Sequence, residues 1–345
     1  MEEKNIEKIE KTYIIPQDSL YIYGIAILMM VWHHFFGFPE RFHGNLQYFG
    51  GNFEYTIELY LGYFGRLCIA MYAFISGYGM TAKSEEKNLK LLDDIKQAIN
   101  QIINFLIRYW LVFIIFIPIG LKMGILKFKL GEFIGNLIGK SCSYNAEWWY
   151  VSYYIKMIVT YPIIKTILNK LKQKRMKNLV LLLMVLILII INCLTSGRYT
   201  YYLCFWFGMI IYTEEVYSKV KERIPGKFKT IITSFIGIIF CIVFRMISKI
   251  DMDEVLVVIY IFCVLQLLKE IKVNNVIRKL LQFLGSYSMY IWLIHTFFLY
   301  YYFQNQLLKI RFSIVIYIIT ICICTIIGYM INKIYGKLKK HVIKL

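Results

Sequence analysis

The chain has 345 residues, 59% of them hydrophobic and 17% aromatic, with a formal net charge of +19. A soluble domain runs nearer ~45–50% apolar, and the mean hydropathy here is +0.58, which excludes an ordinary soluble class. Long apolar runs recur from end to end between short lysine-bearing segments, the pattern of a polytopic membrane protein.

In chain order, residues 1–18 read as a charged amphipathic lead-in that ends at Pro16 and lies on the inner surface. It is not a cleavable signal: the apolar run behind it is too long, and Glu2, Glu3, Glu7 and Glu10 interrupt its lysines. Ten spans are expected over 19–38, 57–80, 100–120, 147–168, 179–195, 200–214, 229–247, 254–268, 283–303 and 312–332. Spans six and eight are short and read as tilted, kinked or partly re-entrant. Residues 81–99 carry both charge signs with apolar residues at helical spacing, the pattern of an interfacial helix. Residues 121–146, the longest outer connection, read as a surface or re-entrant piece, and 333–345 form a basic tail.

The fold expected is therefore all-α, one bundle of about ten transmembrane helices (19–332) in a single domain over 1–345. Basic residues concentrate in alternate connections, and only nine of the 40 fall in the loops assigned outside. The positive-inside rule then puts both termini in the cytoplasm. Charge follows from topology, so no nucleic acid is expected as a partner; the bilayer is. Cys68, Cys193, Cys204, Cys241, Cys263, Cys322 and Cys324 fall in spans as small buried hydrophobes, and only Cys142 lies in an outer loop, so no disulfide framework is expected. No paired-cysteine or HExxH pattern suggests a metal. "IPGKFKT" (224–230) lacks the upstream glycine of a phosphate loop.

An ionisable group at bilayer depth is unfavourable by at least ~2.5–3.5 kcal/mol for Arg or Lys, so each such residue is a functional candidate. They are His33, His34, Arg66, Arg108, Lys156, Lys165, Arg245 and His295, with Glu58 and Glu147 near outer ends. Lys165 and Arg245 are close enough to span ends to snorkel to the interface. His34 lies about fifteen residues into its helix and His295 about twelve into another, a depth difference of roughly 4–5 Å. That agrees with one shared cavity, and equally with two satisfied buried rings. In "ILMMVWHHFFGF" (27–38) the two rings point about 100° apart. His34 shares a face with Tyr23, Ile27 and Met30, which slightly favours it over His33 for a cavity.

"YGIAILMMVWHHF" (23–35), "FGRLCIAMYAFISGYGM" (64–80), "LIRYWLVFIIFIPI" (106–119), "EWWYVSYYI" (147–155) and "LGSYSMYIWLIHTFF" (284–298) occur in this order. Together they resemble the acyltransferase-3 family of integral membrane acyltransferases, over nearly the whole chain. The resemblance implies a multi-pass protein of the bacterial cytoplasmic membrane. It would move an acyl group, most often acetyl, from acyl-CoA as co-substrate to a hydroxyl of a cell-surface or lipid-linked carbohydrate. The family's first span carries an arginine and, ten intervening residues later, a histidine. His34 matches that histidine, but Tyr23 stands where the arginine would be, which hands the arginine's role to a cation such as Arg108 or Arg66. Ser76 and Gly77 match the small-residue motif, Arg108 the third-span arginine, Trp148 and Trp149 the aromatic motif, and His295 the ninth-span histidine.

The expected roles follow. His34 acts as general base, since neutral imidazole suits removal of a hydroxyl proton, with His295 and Arg108 as further catalytic groups. Arg66, Arg108, Tyr23 and Ser76 meet the donor, and Glu147, Trp148, Trp149 and Tyr150 meet the acceptor. Oxyanion donors could come from Arg108, Arg66, Tyr23 or indole N–H groups. A reading from another class is a transporter or flippase of the glycan or its precursor, with the histidines as proton relays.

Overall fold

A computed structural model describes residues 13–42, 46–49, 56–170, 183, 186–187, 189–191, 194, 200–247, 252–271 and 274–342. Among these the structure is helical, without a strand; the one β element is an isolated bridge between Gln47 and Phe312. The α-helices are α1 (Pro16–Phe36), α2 (Ile57–Gly65), α3 (Leu67–Glu86), α4 (Leu91–Lys122), α5 (Leu130–Leu137), α6 (Trp149–Lys170), α7 (Thr200–Thr213), α8 (Val216–Glu222), α9 (Lys227–Ile247), α10 (Asp253–Glu270), α11 (Asn275–Thr296), α12 (Gln304–Leu308) and α13 (Ser313–Val342). Single 3₁₀ turns cover Pro39–Arg41 and Ala146–Trp148, and a π-turn, Phe297–Tyr301, follows α11.

Among the described residues, five stretches are long and apolar enough to cross a membrane: Pro16–Phe36, Ile57–Glu86, Leu91–Lys122, Lys227–Ile247 and Ser313–Lys340. Helices also occupy the expected spans at 147–168, 200–214, 254–268 and 283–303. The fourteen residues of α7 rise only about 21 Å, less than the ~30 Å of a hydrocarbon core. The expected span at 179–195 falls mostly outside the described residues, as do the lead-in before residue 13 and the end of the basic tail.

Several helices outrun the spans read from hydropathy. Thr81–Glu86 finishes α3 and Leu91–Ala98 begins α4, so 81–99 is not a separate interfacial helix. Asn88, with φ +51°, makes the break. From Leu91 the exposed apolar stripe Leu91, Ile95, Ile99, Ile103 continues at i, i+4 into the span, so the chain has no reason to leave the helix. Asp93 and Asp94 in the first turn of α4 favour its start.

The chain divides into two compact units: Met1–Ala26, Arg66–Ala98 and Val159–Gly285 form the first; Ile27–Gly65, Ile99–Ile158 and Ser286–Leu345 form the second.

Glycines set the closest crossings of the first unit. A Cβ on Gly77 would lie 2.0 Å from the Phe205 carbonyl oxygen and one on Gly208 2.1 Å from that of Phe74, so α3 and α7 touch backbone to backbone. Gly24 and Gly285 make the same reciprocal contact between α1 and α11. Small residues at such crossings let helices pack where lipid supplies no hydrophobic drive.

Two cations expected to snorkel are instead buried in ion pairs of this unit. Lys165 Nζ lies 2.9 Å from Asp94 Oδ2 and also bonds Ser84, which donates to Asp94. Arg245 Nε is 3.1 Å from Asp253 Oδ1. A carboxylate within the fold replaces the interfacial water that a snorkelling head would seek.

In the second unit, Trp32 donates from Nε1 to the Glu58 carbonyl (3.0 Å) and Tyr317 Oη donates to that of Leu28 (3.1 Å), tying α1 to α2 and α13. The Glu58 carboxylate is buried, accepting from the Phe49 amide (2.9 Å) and Ser313 Oγ (2.9 Å). It therefore closes the end of this unit around the Gln47–Phe312 bridge.

Candidate active site

The last turn of α1 carries both adjacent histidines into the second unit, where helical phase separates their surroundings. Gly62 and Gly65 bring α2 against α1 so closely that a Cβ on Gly65 would lie 2.6 Å from the Met29 carbonyl oxygen. His33 uses that proximity: its Nδ1 lies 2.7 Å from the Gly62 carbonyl oxygen, to which it must donate. The helix then ends at Gly37, whose amide donates to the His33 carbonyl, and Pro39 opens the next turn.

His34 points elsewhere. Its ring centroid is 5.0 Å from that of His295 and 6.0 Å from that of Phe38, and its Nε2 lies 3.7 Å from Glu147 Oε2. Tyr300 Oη donates to its backbone carbonyl. Its Nδ1 is buried and makes no hydrogen bond among the described residues.

His295 is fully buried near the end of α11. Its Nδ1 sits 2.7 Å from the Trp292 carbonyl oxygen and 3.2 Å from that of Ile291. Carbonyls only accept, so Nδ1 carries the proton and Nε2 carries the lone pair. That Nε2 also has no hydrogen-bond partner among the described residues. Immediately after it the helix widens into the π-turn, closed by the Tyr302 amide donating to Phe297 O (2.8 Å). Such widened turns recur at functional sites.

The turn at 145–148 is pinned to this helix end by three bonds. Asn145 Nδ2 donates to Thr296 Oγ1 (2.7 Å), the Ala146 amide to Tyr301 Oη (3.0 Å), and Trp148 Nε1 to the Leu293 carbonyl (3.1 Å). Asn145 also caps the turn by accepting from the Glu147 amide at 3.1 Å. Glu147 is thereby held with one carboxylate oxygen toward His34 and the other 3.0 Å from Arg41 Nη1.

Arg41 lies 4.1 Å above the Phe38 ring and 4.9 Å above that of Tyr300. Burial works against its charge, but Tyr300 and the bond to Glu147 outweigh burial and hold its pKa above the ordinary arginine value. Sequence reasoning did not single out Arg41. The available signal was its place as the lone Lys or Arg of the first outer connection.

The other expected residues of this unit have the following surroundings. Trp148 is 1% exposed, packed on Tyr109, Phe113 and Phe297. Trp149 lies beside Tyr150 and Tyr153, and Tyr150 meets Trp292 edge-on at 5.9 Å. The Arg108 guanidinium is 4.5 Å over the Tyr335 ring, and its Nε makes no hydrogen bond among the described residues. Arg108 is also in electrostatic reach of Tyr290, five residues or about 7.5 Å along α11 from His295. Lys156 is exposed, over Tyr153. In the first unit, Tyr23 stacks on Tyr72 at 5.3 Å, Ser76 Oγ donates to the Tyr72 carbonyl of its own helix (2.8 Å), and Arg66 adjoins Tyr201.

Helices long and apolar enough to cross a membrane, with buried ionisable groups among them, mark a membrane protein. The sequence profile of the acyltransferase-3 family, an acyltransferase domain, matches residues 21–333, and the chain belongs to that family. No curated protein and no solved structure matches it.

Proposed function

We propose that the protein transfers an acyl group, acetyl in the first instance, from acyl-CoA to a hydroxyl of a cell-surface or lipid-linked carbohydrate, with His34 as general base. The setting proposed is the bacterial cytoplasmic membrane, with both termini in the cytoplasm. The observation that carries the reading is a buried imidazole with one nitrogen facing a carboxylate and the other without a partner among the described residues.

A thioester is reactive enough for a hydroxyl to attack once its proton is removed in the transition state. His34 takes that proton as the oxygen bonds to the thioester carbon. The tetrahedral oxyanion collapses, the C–S bond breaks, and the CoA thiolate regains the proton from the imidazolium, leaving an ester and free CoA. Arg108, whose guanidinium acts electrostatically on Tyr290 of the helix that carries His295, is the donor-side cation and oxyanion donor of this reading. Ser76 is read as a donor contact from its match to the family's small-residue motif, Tyr23 from standing at the position of the family's arginine, and Arg66 as a cation able to take that arginine's role. Trp149 and Tyr150 are proposed as the aromatic contacts of the acceptor, whereas the Trp148 indole N–H is already engaged by Leu293.

The test supplies labelled acetyl-CoA to membranes containing the protein and follows the label into the glycan. His34→Ala is expected to lower the turnover by about 10²–10⁴-fold, the contribution of a positioned base. Undiminished transfer in that variant overturns the assignment. Glycan translocation without any acylation would favour the transporter reading instead.

A further inference from the structure

We infer that Glu147, clamped by Arg41, is a positioning residue that fixes His34 with its proton on Nε2 and its lone pair on Nδ1. The inference rests on the reading of His34 as general base and names which nitrogen does the work and what holds it there.

Two rings are close enough to share one cavity, but each alone could adopt either tautomer. For His295 the choice is made by its own helix, because the carbonyls of Ile291 and Trp292 both require a donor at Nδ1. For His34 the choice falls to Glu147. A carboxylate oxygen 3.7 Å from Nε2 is beyond hydrogen-bond length, yet it repels a lone pair and attracts an N–H. With Nε2 protonated, the buried Nδ1 of neutral His34 is left as an acceptor. The opposite tautomer would set a lone pair against the carboxylate and leave an N–H at Nδ1 without a partner among the described residues.

Glu147 can do this only if it does not turn away. Arg41 takes Oε1 at 3.0 Å, and the bonds from Asn145, Ala146 and Trp148 fix the backbone that carries it. Arg41 is in turn seated on Phe38 and Tyr300. This gives the three-part order of base, orienting carboxylate and anchor known from other imidazole bases. Glu147 is thereby moved from the acceptor-binding role read in the sequence to one behind the base. Among the described residues two nitrogens are then left without a hydrogen bond, His34 Nδ1 and His295 Nε2, and the site's first requirement of a ligand is a hydrogen-bond donor such as a hydroxyl.

The test reads tautomers directly. Protein labelled with ¹⁵N-histidine is compared with its His34→Ala counterpart by solid-state NMR in lipid at about pH 8, where ordinary imidazole is neutral. The difference isolates the His34 nitrogens. The native protein should show a protonated Nε2 and an unprotonated Nδ1. Glu147→Ala should lose that preference, Glu147→Asp should recover it in part, and Arg41→Met should weaken it.

In parallel, Glu147→Ala should lower kcat by about two to four orders of magnitude with little change in KM for acetyl-CoA, as loss of an orienting carboxylate does elsewhere. A proton on Nδ1 in the native protein, or an unchanged spectrum in a folded Glu147→Ala, overturns the inference. If Glu147→Ala does not fold, the Arg41→Met spectrum decides, an unchanged one again overturning it. Because the spectrum needs no turnover, a correct tautomer in a protein without acyl transfer would count against the proposed activity and not against this positioning.

Discussion

At the residue scale, the adjacent histidines show how one step along a helix separates two roles. His33 is held by the Gly62 carbonyl, while His34 faces Glu147 and His295. His33→Ala is therefore expected to destabilise the folded protein by about 1–3 kcal/mol, the penalty of a buried acceptor losing its donor. Acyl transfer per folded molecule should change little. Thermal unfolding in detergent, measured beside turnover, checks both halves; unchanged stability with lost turnover would reverse the assignment of the two rings. The separation was legible in the sequence only as a slight preference, because two rings about 100° apart on an apolar helix point toward different neighbours. The role of Arg41 was not, since it depends on the turn after Gly37 and on two aromatic faces. Glu147 stood out as an expensive residue, but its proximity to His34 arises only when the 145–148 turn is bound to the end of α11.

At the element scale, helix boundaries set by hydropathy and those set by hydrogen bonding differ for a physical reason. Charged turns such as those of 91–98, 275–282 and 333–342 leave the hydrocarbon but are still good helix formers, so α4, α11 and α13 run on. The small-residue motif at Ser76 and Gly77 likewise has a packing explanation that was visible only as a pattern. Gly77 and Gly208 are the points where α3 and α7 touch. Gly77→Val or Gly208→Val should abolish recovery of monodisperse protein, because the new carbon would fall about 2 Å from a backbone carbonyl. Gly79→Ala, two residues along, meets nothing within 4 Å and should behave as the native protein. Size-exclusion profiles of the three variants distinguish the cases; equal recovery of all three would refute the close crossing.

At the scale of the whole molecule, the membrane orientation read from charge makes Cys142 a reporter. It lies in the connection assigned outside, and burial together with the nearby Glu147 carboxylate raises its thiol pKa. The thiolate is the reactive form, so labelling by an impermeant maleimide should still be rising with pH where an ordinary thiol is already almost fully ionised. It should occur on intact cells and vanish in Cys142→Ser. Labelling only after the membrane is opened would reverse the topology.

The π-turn at 297–301 gives the second unit a built-in register. A wider turn holds one residue more than the α-helix around it would need. Reverting it to α geometry would carry every following side chain about 100° round the axis and about 1.5 Å along it. His295, ahead of the turn, would stay where it is. Tyr300 would swing away from the His34 carbonyl and Tyr301 from the Ala146 amide, so α1 and the 145–148 turn would lose their common fastening together. One surplus residue thus acts as the spacer that keeps three separate pieces of chain in step.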